Sequence, residues 1–470
     1  MLKRFAGLAM LLATACGESK DDEASPVESG GSAGVPTVGT TTSAPTSGAG
    51  GTSTRSDSSF AGIRANGGTS ATSSSTSDLV EKGLCSITVG CTQPIVDDPP
   101  VACTFDVRDA TGTAVFSDHA GVELRGRSSM NFPKKNYGIE LHDASGADNP
   151  ANLLGMGKES DWVLDGAWAD RSFMRNRVSF SLFRDMAPTY WAPRARYCEL
   201  TLNQKYQGIY VLLEKIKRDD DRVVLPDDDG TGSTFIVKQD DNGTLKLTIG
   251  NGAKWKVVYP GSSIITDKQT QAVQAFLDRL GTALNSSSPS DLLTLFDTAR
   301  VIDWILLEEF AKNVDAYNLS LFFARSSGGA AWPIPWDLDL AYGQPTIRNF
   351  TGNETAEGWV HNRTNFISKL STLDAIRQGL GPRWRALRLG VFSEASILKR
   401  LDDYLAVLTE AARDANFKLW PIENVDFTQI YAPYTFYDVT NYSDELAHLR
   451  TWIQQRLVWL DANIDSYPSK

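Results

Sequence analysis

The sequence predicts an α+β fold with a β-rich N-terminal part and a mainly helical C-terminal part. Residues 84–141 consist of short β-branched and aromatic runs divided by turn residues. The second half instead places its apolar residues at helical spacing. Nearly all of the 12 Trp, 14 Tyr and 20 Phe lie after residue 80, which is ample material for a large core.

What precedes residue 81 has a different character. Residues 1–16 carry Lys3 and Arg4, an apolar run over 5–12 and then Ala13-Thr14-Ala15-Cys16, the layout of a cleaved export signal. A small residue on each side of the cut and a cysteine directly after it resemble a bacterial lipobox. The expectation is an exported chain, either a cell-envelope lipoprotein anchored to the membrane through acylated Cys16 or a secreted protein. Residues 17–80 are dominated by Ser, Thr, Gly, Ala and Pro, too poor in large apolar groups to offset the entropy of ordering, and read as a disordered linker. As a flexible coil this segment spans on the order of 40 Å. The folded domain is then 81–470.

Strands are predicted at 86–89, 103–107, 122–124 and 137–141, and, after the segment Asp161-Trp162-Val163-Leu164, a helix over 171–186, where Phe173, Met174, Val178, Phe180, Leu182 and Phe183 supply an apolar face. Residues 197–202 and 208–213 read as a hairpin around a five-residue turn. Helices follow at 269–284, 290–296 and 301–313, then a second hairpin from 319–324 and 332–335, and a C-terminal helix over 444–464 with a stripe of Leu446, Leu449, Ile453, Leu457 and Leu460. That stripe is core.

The net charge of -11 and the lack of a basic block exclude a nucleic-acid partner. Besides Cys16 there are four cysteines, Cys85, Cys91, Cys103 and Cys198, an even number that suggests two disulfides with three connectivities open. Zinc is the weaker alternative, because no CxxC pair occurs and His119, His142, His361 and His448 are scattered.

Two constellations carry chemistry. Asn313-Val314-Asp315-Ala316-Tyr317-Asn318 ends a predicted helix, and Pro335-Trp336-Asp337-Leu338-Asp339-Leu340-Ala341-Tyr342-Gly343 follows the second hairpin, whose geometry brings the two acidic ends together. If the returning strand continues, Asp337 and Asp339 share one face. Such oxygen donors suit Mg²⁺ or Mn²⁺. Isolated acids of this kind usually cap exposed turns, but here aromatic and apolar flanks place them in a cleft. The other constellation is Arg125-Gly126-Arg127-Ser128-Ser129 with Pro133-Lys134-Lys135-Asn136-Tyr137. There Arg127 and Lys135 are candidate phosphate contacts, Lys135 on the face of Tyr137 and Ile139 and Lys134 on the other.

These segments, with Asp161-Trp162-Val163-Leu164, Asp170-Arg171-Ser172-Phe173-Met174-Arg175-Asn176 and Gln207-Gly208-Ile209-Tyr210-Val211-Leu212-Leu213-Glu214-Lys215-Ile216, occur in the order seen in the CotH family of spore-coat and secreted kinases. The resemblance covers roughly residues 85–345. It implies an atypical protein-kinase-like, two-lobed fold that transfers the γ-phosphoryl group of ATP to Ser or Thr with a divalent metal. Carried over by position, Asp315 resembles the catalytic aspartate and Asp337 the metal-binding one, with Asp339 and Asn318 as further metal contacts. Lys135 would approach the phosphates. The pairing of Glu214 with it is inferred from residue type. No kinase-type glycine-rich loop or Walker motif is present, and Gly155-Met156-Gly157-Lys158 reads as a turn. The run Asp227-Asp228-Asp229-Gly230-Thr231-Gly232 reads as an acidic turn, since Lys238 stands where a calcium loop needs Glu. A catalytically silent binding module on the same fold, or ATP-dependent adenylylation, is the alternative. The protein substrate is not legible in the sequence.

Overall fold

A computed structural model describes residues 81–240, 242–246, 253–313, 315–317, 320–344, 354–360, 365–423 and 439–468. The export signal with Cys16, the 17–80 linker and Asn318 lie outside the described residues.

The first part is a closed seven-stranded barrel. Its order is β1 (Cys85–Cys91), β2 (Val101–Arg108), β3 (Ala114–Arg125), β4 (Asn136–His142), β7 (Asp161–Asp165), β9 (Lys205–Glu214) and β8 (Ala195–Leu202), with a small ribbon of β5 (Ala151–Asn152) and β6 (Lys158–Glu159) beside it. Alternation fills the interior, since Ile87, Val89, Phe105, Val107, Val122, Ile139 and Leu141 all point into one core. Every neighbouring pair is antiparallel except the seam, where β1 meets β8 in parallel with Cys85 opposite Cys198. A disulfide bridges that seam, and Cys91–Cys103 bridges β1 and β2, so the open connectivity is settled by strand register.

The rest is mainly helical. Its elements are α1 (Arg175–Met186), α2 (Asp267–Asn285), α3 (Leu292–Leu295), α4 (Thr298–Ala311), α5 (Asn365–Leu370), α6 (Asp374–Arg388), α7 (Glu394–Val407), α8 (Glu410–Leu419) and α9 (Tyr442–Asn463). They pack around a second sheet ordered β11 (Leu245–Lys246), β12 (Lys254–Tyr259), β10 (Phe235–Gln239), β13 (Phe322–Arg325) and β14 (Trp332–Ile334). The apolar faces of α1, α2, α4, α6 and α9 meet the sheet in one large core. The α+β class and the β-rich, then helical, order stand as expected.

Several boundaries differ from the sequence prediction. The helix expected from residue 171 begins at Arg175, because the Asp170 carboxylate accepts from the backbone N–H groups of Ser172 and Arg175 and holds 170–174 as a turn. The β8–β9 turn has two residues, not five, since Asn203 and Gln204 both adopt the left-handed backbone that tight hairpins require. Strands β10 to β12 were not anticipated. The acidic turn after Pro226 is a turn indeed, with the Asp228 carboxylate occupied by the N–H groups of Gly230, Gly232 and Thr234 and by Gln269.

The seam disulfide spans 113 residues of sequence and the other 12. Loop-closure entropy therefore makes removal of Cys85–Cys198 by paired Cys→Ala substitution cost about 4–5 kcal/mol, against about 3 kcal/mol for Cys91–Cys103. Urea unfolding of the two double variants checks this order.

Candidate active site

The acidic constellations converge where the barrel rim meets the helical part. At the end of α4, Lys312 takes a left-handed conformation and turns the chain out of the helix, and its buried ammonium donates to the carbonyls of Thr355 and Glu357. Asn313, buried next to it, then acts as a bracket. Its Oδ1 accepts from the Asp315 N–H (3.2 Å), and its Nδ2 donates to the Asp337 carbonyl (3.3 Å) and to Glu308 Oε2 (3.1 Å). The β13–β14 hairpin brings Ser320 to Asp337, with the hydroxyl donating to Oδ2 at 2.9 Å. The expected meeting of the two acidic ends is thus made by the hairpin.

Strand β14 stops at Ile334, so Asp337 and Asp339 lie on a loop and not on a continued strand. Asp337 is left-handed (φ 65°), and the Leu338 N–H donates to Asn176 Oδ1 at 2.7 Å. Further along, the Arg175 Nε donates to the Ala341 carbonyl, the Tyr342 hydroxyl bonds Ser179, and His448 bonds the Gly343 carbonyl. Gly343 is left-handed, and a Cβ there would lie 2.2 Å from Trp452, so only glycine lets α9 approach. Of the ten non-glycine residues with positive φ among the described residues, Asp337 and Tyr342 lie in this loop and Lys312, Tyr317 and Ser320 in the 312–320 segment bonded to it. Strain of this kind persists where the surrounding structure over-determines it and gathers at functional sites.

Charge is equally concentrated. Burial raises the Asp339 carboxyl well above the usual carboxylate range, and Asp337, Asp165, Asp315 and Asp170 push it the same way. Asp165, at the end of β7 with its Oδ1 accepting from the Ala167 N–H, is also raised, first by burial and then by Asp170 and Asp337. Facing them is Arg125, the last residue of β3. Its guanidinium lies 5.6 Å from the Trp336 ring centre; burial lowers its pKa while Asp337, Asp165 and Glu123 oppose the shift.

The predicted cations and Glu214 fare differently. Lys135 is half-buried and its ammonium donates to the Met130 carbonyl at 2.6 Å, while Arg127 is exposed beyond the rim. Lys134 is the buried lysine: its Nζ donates to the Ile209 carbonyl and Asn416 Oδ1 over the Tyr210 ring, and burial drives its pKa well down. The expected Glu214–Lys135 pair is not formed. Glu214 is fully buried and held by Arg194 through both carboxylate oxygens. Register explains this, because Glu214 is opposite Trp162, which is opposite Ile139, four residues along from Lys135 and so about 13 Å away along the sheet.

Sequence reading missed three contributors: Arg125, Asp165 and the bracket Asn313. Each stood inside or beside a quoted segment. Asp165 directly follows the quoted 161–164 segment, ends β7 and precedes Gly166, so that it stands at the rim.

Among the described residues, no three Asp, Glu, His or Cys side chains converge as a metal cage. The donor chemistry nonetheless fits a hard divalent cation of the kind held by one or two carboxylates and completed by substrate oxygens. A cation would relieve the repulsion that raises Asp339. The result is an acid-rich, half-buried loop beside the aromatic-backed guanidinium of Arg125. Residues 122–460 match the family model described as CotH kinase protein, and the chain therefore belongs to the CotH kinase family. No curated protein matches the chain.

Glu308, buried behind the bracket, has its carboxyl pushed up to about 8 by burial, with Glu309 and Asp315 adding to this against the bonds from Asn313 and Trp304. The unfolded carboxyl titrates near 4.5, so the folded state holds the extra proton between these values. Stability contributed by this group is lost as pH rises from about 4.5 to 8. Glu308→Gln keeps an acceptor for Asn313 and should flatten that fall, raising stability at pH 8 relative to pH 5, as urea unfolding at the two pH values will show.

Proposed function

We propose that the chain is an exported protein kinase that transfers the γ-phosphoryl group of ATP to Ser or Thr of envelope or extracellular proteins. The observation that carries this reading is that Asn313 bonds both the Asp315 N–H and the Asp337 carbonyl, so that the two acidic segments of a CotH-family chain meet at one place. Phosphoryl transfer asks for positioning and charge neutralisation more than for covalent chemistry, and an acid-rich cleft with a nearby cation supplies both. In this reading the barrel and the helical body are the two lobes of a kinase-like fold.

In this reading Asp315, whose backbone N–H is held by Asn313, would accept the proton of the substrate hydroxyl. Asp337 and Asp339 would hold Mg²⁺ or Mn²⁺, with Asn318 as a further donor, and the bound cation would neutralise phosphate charge. Ser320 fixes the Asp337 carboxylate, and Asn176 and Arg175 fix the loop that carries both acids. These positions depend on packed side chains and so are set before substrate arrives.

Export is supported by chemistry within the domain. Two disulfides form, and disulfides persist in oxidising compartments. The lipid anchor at Cys16 would hold the domain at a membrane by way of the 17–80 segment. Such a location is poor in ATP, so the proposal includes action on released nucleotide or before export is complete.

Incubating the purified protein with labelled ATP, Mg²⁺ or Mn²⁺ and a protein mixture should give metal-dependent transfer to Ser or Thr, reduced about 10²- to 10⁴-fold by Asp315→Ala and similarly by Asp337→Ala. Absence of transfer together with absence of stabilisation by nucleotide would leave a silent binding module, and a product heavier by an adenylyl group would mean adenylylation. For the anchor, Cys16→Ser should move the protein from the membrane to the soluble fraction and abolish fatty-acid labelling, as fractionation of expressing cells will show.

A further inference from the structure

We propose that Arg125 is the side chain that receives the terminal phosphates of a nucleoside triphosphate at this site, the part first expected of Lys135 and Arg127. The inference rests on the phosphotransfer reading above and names the cation that reading leaves open.

Position comes first. Arg125 ends β3 opposite Asn136, and Asn136 Oδ1 accepts from the Gly166 N–H at 2.7 Å, so strand register fixes Arg125 on the rim beside the turn that carries Asp165. Its guanidinium lies over the ring of Trp336, the residue immediately before Asp337. That ring is itself packed against Phe180 (6.2 Å) and Phe322 (5.9 Å), so the plate beneath the guanidinium is fixed from behind. A planar cation on an aromatic face keeps its N–H edge free to point outward.

Availability comes second. Among the described residues the Arg125 N–H groups meet no hydrogen-bond acceptor, whereas the other candidate cations are engaged: Lys135 with the Met130 carbonyl, Lys134 with the Ile209 carbonyl and Asn416. Asp337 and Asp165 are close enough to oppose the loss of its charge, yet neither forms an ion pair with it. A half-buried guanidinium with open donors matches phosphate oxygens in forked geometry, a contact stronger than that of an ammonium point charge. Its place beside Asp337 puts it at the metal-facing, terminal end of the triphosphate. Trp336 is then a positioning residue that acts through Arg125.

The test uses the purified full chain with Arg125→Gln, Arg125→Lys, Trp336→Leu and Lys135→Ala. Its readouts are kcat and KM for ATP and the melting temperature with Mg-ATP, Mg-ADP or inorganic tripolyphosphate. Arg125→Gln should lower kcat/KM for ATP about 10- to 100-fold, the size expected for one charge-assisted contact. It should also erase the extra stabilisation by ATP over ADP while leaving the ligand-free melting temperature near that of the wild type. Arg125→Lys should recover part of the loss, Trp336→Leu should reproduce much of it, and Lys135→Ala should have the smaller effect. If Arg125→Gln fails to fold, Arg125→Lys carries the test, and wild-type behaviour in it overturns the proposal. Wild-type ATP response in Arg125→Gln, or a larger loss in Lys135→Ala, also overturns it while leaving the kinase reading intact. If the wild type transfers nothing but is stabilised by tripolyphosphate through Arg125, the kinase reading fails and the phosphate site stands. No response to any polyphosphate sinks both.

Discussion

The cleft depends on a buried ion triad. Arg175 at the start of α1 donates Nη1 to Asp170 at 2.7 Å and to Glu445 of α9 at 2.6 Å, all three being buried, and its Nε reaches the Ala341 carbonyl at the end of the acidic loop. Burial alone would drive the guanidinium towards neutrality, but Glu445 and Asp170 outweigh it and raise the Arg175 pKa. One side chain thus joins the turn after β7, the first helix, the last helix and the loop of Asp337 and Asp339. Buried ion pairs are weak contributors to net stability, since desolvation cancels much of the Coulomb gain. What this triad supplies is register: removal of Arg175 leaves two buried carboxylates without their shared cation.

Around that joint, the molecule holds groups that repel one another. Asp337, Asp165, Asp315 and Asp170 add to the effect of burial in raising the Asp339 carboxyl, and the left-handed residues of the flanking turns add backbone strain. Neither arrangement would survive in an isolated loop. They persist because Asn313, Ser320, Asn176, Gly343 and the triad fix the loop from several sides, and because the large helical core beneath it is independent of these charges.

The barrel contributes a rim. Lys134 and Asn416 link its β9 edge to α8, and Gly208 leaves the space, since a Cβ there would lie 2.4 Å from Asn416 Oδ1. The lysine that sequence alone would assign to solvent is thus a structural cation, and the arginine that ends β3 is the one that faces the acids. Two adjacent lysines just before β4 differ in what they meet, Lys134 the Ile209 carbonyl and Asn416, Lys135 the Met130 carbonyl. The fold decides that question by the way the barrel closes.

Much was legible in the chain itself. Period-two runs gave the first barrel strands, helical stripes gave α2, α4 and α9, and the order of the short motifs marked both acidic segments as parts of one site. Strands β10 to β12 were not legible, because they are short and interrupted by Lys238, Lys254 and Lys256, so that no local pattern outweighs the gaps. Nor were the partners of Glu214, the bracket role of Asn313 or the place of Arg125. The sequence by itself determined which segments are strands or helices over their longest runs, which cysteines are available to pair and which acidic segments flank the β13–β14 hairpin, because those depend on neighbours within a few residues. Only the tertiary structure decided how the cysteines pair, which cation meets the acids and what holds the loop, because the seam disulfide, the Arg175–Ala341 bond and the Arg175–Glu445 pair join groups 113, 166 and 270 residues apart that meet only when the barrel closes and α9 docks.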